Sequence, residues 1–160
     1  MDKEYTYRVR ADAAAVRGGV ATSDGIQPAI AFSAPPEFQG EAGRWTPEHL
    51  FLAAVAGCFV STFSGMAQFS KFEFLSLHLE VEGVLRKEET GWRFAQVNLH
   101  PRLTIAQEKD RERATRLLEK AEQTCLIARS INSKTVLEPE LIVEGEVPEV
   151  EKLEHSIPVR

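Results

Sequence analysis

The sequence predicts an α+β fold with antiparallel sheets and two long central helices. Three observations carry this. A run from Arg44 to Phe69 is apolar for more than five turns of helix and has a well-defined start. Residues 107–128 show apolar positions at spacings of three and four. Around these two segments, short stretches alternate apolar and polar residues and are punctuated by glycine and proline, the pattern of strands and turns. The order is three strands, helix, two strands, helix, strand, which fits one α+β domain over residues 1–147. Residues 148–160 are charged, contain two prolines and read as a C-terminal tail.

In chain order, Tyr5, Tyr7, Val9 and Ala11 alternate with polar neighbours and predict a strand over 4–11. A second strand is expected over 15–23, interrupted at Gly18-Gly19. Ser23-Asp24-Gly25 is a hairpin turn, and Ile26–Ser33 returns as a strand whose Pro28 suits an edge or a bulge. Residues 34–43 form a connecting loop. Thr46 is a helix cap, Pro47 opens the helix, and Glu48 lies in a first turn, where the helix dipole favours an anion.

Beyond the helix, Leu75, Leu77, Leu79 and Val81 alternate with Ser76, His78, Glu80 and Glu82. This predicts a long antiparallel strand with one wet face. After a turn at 88–91, a second strand runs from Trp92 to Ile105 and contains Pro101. The helix expected over 107–128 buries Ala114, Leu117, Leu118, Ala121, Cys125 and Ala128. Its charged run from Glu108 to Arg116 reads as a solvated face. Residues 135–147 read as the last strand.

The chain has 160 residues, 43% hydrophobic and 27% charged, enough to bury a core. A net charge of −5 argues against nucleic acid as a partner. Ser61, Thr62, Ser64 and Gln68 dilute the long apolar helix, and basic flanks are lacking, so it reads as a core element rather than a membrane span. Met1–Glu4 leads into alternating residues rather than an apolar run, so no secretory leader is recognisable and a cytoplasmic location is expected. The two cysteines, Cys58 and Cys125, make no disulfide framework and no Cys-x-x-Cys motif.

These two thiols are the candidate reactive groups. Either can be an ordinary small core residue. A functional reading needs Cys58 as a thiolate, and a nearby cation favours that form. Glu48 lies near the same side of the helix as Cys58 but roughly 15 Å away along the axis. It is too far to act on the sulfur directly, but it can hold an arginine that does. Cys125 and Cys58 lie on the expected buried faces of the two long helices, and packing of those helices can bring the sulfurs within disulfide range.

Thr46-Pro47-Glu48-His49-Leu50 leading through small residues to Cys58-Phe59 resembles the helix motif of the OsmC/Ohr family, the osmotically inducible and organic-hydroperoxide-resistance proteins. Phe38-Gln39-Gly40-Glu41 resembles the loop before that helix, and Cys125–Ser130 resembles the segment around the second family cysteine. The resemblance spans roughly residues 5–146. It implies an intertwined homodimer with no bound metal or flavin.

In activity it implies a thiol peroxidase acting on organic hydroperoxides, in oxidative or osmotic stress defence. Cys58 would be the peroxidatic thiolate and Cys125 the resolving thiol, with an intramolecular disulfide recycled by an external dithiol of lipoyl type. Glu48 would orient a catalytic arginine. Arg17 best resembles that arginine's position, and Arg44 is the second candidate. The segment departs from many members in having Leu126 where they have proline. Phe51, Phe59 and Phe63 are candidates either for an apolar substrate channel or for plain core packing. The alternative to an enzyme is a non-catalytic dimeric module that binds an apolar ligand, or a redox sensor.

Overall fold

A computed structural model describes residues 3–146. The tail expected over 148–160 lies outside them. The contacts within the chain group into two compact units, residues 1–51 and 52–160.

The first unit is a three-stranded antiparallel sheet in the order β1 (Arg10–Ala15), β2 (Gly18–Ser23), β3 (Ile26–Ser33). Two hydrogen bonds from the Arg10 guanidinium to the Asp24 carboxylate, 2.6 and 2.8 Å, pin β1 to the β2–β3 turn. The strand expected from residue 4 begins only at Arg10. The reason lies in its partner: Arg10 pairs with Thr22, and β2 ends one residue later, so residues 3–9 extend past the ladder with Tyr5, Tyr7 and Val9 exposed. The strand expected from 15 begins at Gly18, because Arg17 adopts a left-handed conformation (φ 60°) in the β1–β2 turn. After β3 the chain makes a single 3₁₀ turn at Pro36–Phe38. Gly40 is required just beyond it: a Cβ there would stand 1.5 Å from the Ala34 carbonyl oxygen.

Helix α1 (Pro47–Phe69) has the predicted boundaries. The Thr46 Oγ1 accepts the His49 backbone N–H at 3.2 Å and pairs with His49 Nδ1 at 2.9 Å, so the expected cap is in place. Val55, Phe59, Phe63 and Ala67, spaced by four, form its buried stripe. By length and hydropathy the helix could cross a membrane, yet that stripe belongs to the core of the second unit. Elsewhere on its circumference it exposes small and apolar residues, including Ala53, Gly57 and Val60, and Phe69 is 94% exposed.

The second unit holds β4 (Ser76–Glu88) and β5 (Gly91–Ile105), paired as the predicted hairpin. Inward-facing Val97, Leu99, Pro101, Leu103 and Ile105 line one face of β5 and are buried. Gly83 on β4 makes room for Leu52 of α1 and for Phe94: a Cβ there would lie 2.9 Å from the Leu52 side chain and 2.5 Å from the Phe94 ring.

The single last strand expected over 135–147 is two short ones, β6 (Lys134–Leu137) and β7 (Glu140–Val143). Both pair with β5 in parallel, so the antiparallel hairpin gains a parallel edge. Two prolines explain the gap. Pro101 has no N–H to donate and falls between the β6 register (through Leu99↔Leu137) and the β7 register (from Arg102↔Glu140), opposite Pro139.

The second long helix is also divided. A 3₁₀ turn, Glu108–Asp110, leads into α2 (Arg111–Thr124), and after Cys125 a single turn of helix, α3 (Leu126–Arg129), follows. Cys125 itself is non-helical (φ −57°, ψ 115°). The apolar stripe Ala114, Leu118, Ala121, Cys125, Ala128 runs on across the break, which is why periodicity alone predicted one helix. The charged run at its start is not simply solvated. Arg111 donates to the Leu141 carbonyl at 3.2 Å, and Arg113 donates to the Ser70 carbonyl with its guanidinium 5.3 Å from the centre of the Phe72 ring.

Candidate active site

Helix α1 carries Cys58 half-buried, one position before the buried Phe59. Cys125, fully buried, sits at the α2–α3 break. Both thiols are free. Their contact follows from the break. The non-helical ψ of Cys125 turns the chain so that the Ile127 N–H points at Cys58 and donates to its sulfur at 3.4 Å. The Cys125 thiol, the Thr62 hydroxyl and the Leu126 N–H lie near enough to favour the charged form of Cys58 as well.

The two sulfurs are pushed in opposite directions. At Cys58 burial works to raise the pKa, but the donors from Ile127, Cys125, Thr62 and Leu126 outweigh it, and the thiol ionises below its ordinary range. At Cys125 burial raises the pKa, the Ala128 N–H opposes it, and the neighbouring Cys58 adds to the rise; the thiol titrates above its ordinary range. Of the two thiols, Cys58 therefore gives up its proton before Cys125.

The other predicted site residues belong to the first unit. Glu48 lies in the first turn of α1, half-buried, and its Oε2 is buried with no hydrogen-bond partner among the described residues. Arg17 is exposed in the β1–β2 turn, where its carbonyl accepts the Ala34 N–H at 2.8 Å. Arg44 is exposed and lies 3.3 Å from Glu41. Of the candidate channel aromatics, Phe59 and Phe63 are wholly buried and belong to the core, with Phe63 packed edge-on against Phe74 at 5.3 Å.

Sequence reasoning missed Thr62, Leu126 and Ile127. Thr62 was legible in principle, since it stands one turn beyond Cys58 on the same helix face. The backbone donor from Ile127 leaves no trace in residue type. A cavity of about 360 Å³ opens between α1 and α2, lined by Thr62, Met66, Phe69, Leu117 and Lys120 among others. Among the described residues, no three His, Cys, Asp or Glu side chains are grouped to hold a metal ion.

The family model for OsmC-like proteins matches residues 40–140, which contain both cysteines and Glu48. The uncharacterised protein YmaD of Bacillus subtilis (strain 168) is 25% identical over 144 residues, covering 88% of this chain and 96% of YmaD. Among solved structures, an organic hydroperoxide resistance protein OsmC from Legionella pneumophila superposes with a TM-score of 0.71 at 25% identity, over 89% of this chain and 100% of that one. An OsmC-like protein of unknown function from Vibrio cholerae gives a TM-score of 0.75 at 19% identity, over 85% of this chain and 99% of its own. The motif around Cys58, the fold and the match over most of the chain agree: this chain belongs to the family of OsmC-like proteins.

Proposed function

We propose that the protein is a cysteine-based hydroperoxide reductase of the stress-defence type, acting on organic hydroperoxides. One observation carries the reading: Cys58 and Cys125 are close enough to influence each other's ionisation, and their surroundings lower the pKa of the first and raise that of the second. Membership of the OsmC-like family supports a stress-related redox role, and the Legionella relative's description as an organic hydroperoxide resistance protein supports the substrate class.

The chemistry closes on these residues. The Cys58 thiolate attacks one peroxide oxygen, the O–O bond breaks, and an alkoxide leaves and takes a proton to become the alcohol. Cys58 is then a sulfenic acid. The Cys125 sulfur attacks the Cys58 sulfur, its proton leaves with the sulfenic hydroxyl as water, and a disulfide joins the two. An external dithiol, of lipoyl type, restores both thiols by exchange. The buried Oε2 of Glu48, without a hydrogen-bond partner among the described residues, supports a role for that carboxylate in holding a catalytic arginine, with Arg17 the first candidate and Arg44 the second.

The apolar surface that α1 leaves exposed, Val60 and Phe69 included, supports assembly as a homodimer. The cytoplasm, where dithiol reductants are kept reduced, is the fitting compartment. The test is direct. Reduced protein should consume an organic hydroperoxide with loss of two thiols per chain and formation of a Cys58–Cys125 disulfide, identified by non-reducing peptide mapping. Cys58→Ser should consume none above background; equal consumption by that variant would leave the reading without support.

A further inference from the structure

We propose that the groove between α1 and α2 holds the organic tail of the hydroperoxide, and that Lys120 gives tails ending in a carboxylate preference over neutral ones. Resting on the peroxidase reading, this gives the same site a tail subsite and Lys120 a role in specificity.

The groove and the reactive thiol share one seam. The Ile127 N–H donates to the Cys58 sulfur at one end, and Arg113 donates to the Ser70 carbonyl at the other. Between these contacts α1 and α2 run antiparallel, side by side. Cys58, Thr62, Met66 and Phe69 recur at helical spacing and occupy one face of α1. The last three line the cavity of about 360 Å³, together with Leu117 and Lys120 of α2. The cavity therefore opens one helical turn from Cys58.

The lining is apolar because its serine hydroxyls are engaged on α1 itself. Ser61 Oγ donates to the Cys58 carbonyl at 3.0 Å, and Ser70 Oγ donates to the Met66 carbonyl at 2.8 Å. Thioether, ring and methyl surfaces of Met66, Phe69 and Leu117 remain, and these suit an alkyl or aryl chain. Lys120 is the one charged residue in the lining. Nearby cations are matched: Arg116 pairs with Glu112, and Arg113 lies over Phe72. The Lys120 ammonium has no ion-pair partner among the described residues. A lysine stem lies along apolar surface while its charge stays at the water edge. Lys120 stands five residues before Cys125, about 7.5 Å along the helix. A carboxylate at the far end of a medium-length chain can meet it while the peroxide meets Cys58.

Steady-state kinetics with ω-hydroperoxyoctanoate, its methyl ester and tert-butyl hydroperoxide test this, the last being too short to reach Lys120. The wild-type KM for the acid should be roughly two- to fivefold below that for the ester at similar kcat, the worth of one solvated ion pair. Lys120→Gln should remove the difference and Lys120→Glu should invert it, with tert-butyl hydroperoxide unaffected. A Cβ at Gly65 meets nothing within 4 Å, so Gly65→Leu fills the groove without a clash and should raise KM for acid and ester only. An acid preference unchanged in Lys120→Glu would overturn the proposal. Gly65→Leu slowing all three peroxides alike would also overturn it, marking the groove as a face between copies. A protein that consumes none of the three would remove the peroxidase reading, and octanoate then decides the groove by itself. It should protect Cys58 of the wild type from iodoacetamide at a roughly two- to fivefold lower concentration than in Lys120→Gln. Equal protection, or none, would overturn the proposal.

Discussion

The Ile127 backbone N–H donates to the Cys58 sulfur at 3.4 Å. The bond ties the middle of α1 to the break between α2 and α3, and it puts a donor on one sulfur while the same turn keeps the other buried. The surroundings of the Cys58 sulfur are thus set partly by a backbone that lies far from it in sequence.

The first prediction concerns pH. The thiolate is the reactive species, and Cys58 ionises below the ordinary thiol range. Its alkylation rate should therefore stay on its plateau as pH falls past the ordinary thiol pKa and decline only below it. Cys125, raised, should react only above that range. Site-resolved alkylation between about pH 5 and pH 10 checks the order; Cys125 reacting first would contradict it.

Removal of the second thiol should separate two steps. Cys125→Ser is expected to reduce one equivalent of hydroperoxide and then stop, with a sulfenic acid on Cys58 that dimedone traps. Mass spectrometry of the trapped peptide is the readout. Sustained turnover with a small dithiol at the wild-type rate would show that Cys125 does not resolve the intermediate.

A third prediction separates the two arginines. If Glu48 holds Arg17 for catalysis, Glu48→Ala and Arg17→Ala should each lower kcat/KM, and the double variant should lose less than the sum. A coupling of about 1–3 kcal/mol is expected for groups in one network. The corresponding cycle with Arg44→Ala should be additive within about 0.5 kcal/mol. Coupling to Arg44 alone would reverse the assignment.

The fourth prediction is structural. Phe63 is fully buried and packs edge-on against Phe74. Phe63→Ala should cost about 3–5 kcal/mol in chemical denaturation, the usual loss for a buried aromatic ring. A cost below about 1 kcal/mol would instead suit a ring lining an open channel.

By itself the sequence determined α1 to the residue, the β4–β5 hairpin and the two thiols worth attention. Each of these is written in local chemistry. Thr46 and Pro47 start the helix, the alternation from Leu75 to Val81 marks a two-faced strand, and a cysteine is visible wherever it stands. Where strand and helix ends depend on a partner, the sequence was silent. Arg10 begins β1 because β2 stops pairing beyond it, and β6 and β7 separate at Pro139 opposite Pro101 in the neighbouring strand. Only the tertiary structure decided that Cys125 breaks a helix and neighbours Cys58, and that Phe59 and Phe63 face the core. The physical reason is the same throughout. A hydrogen bond between a backbone amide and a sulfur 69 residues away depends on where the chain turns, and residue type does not encode that turn.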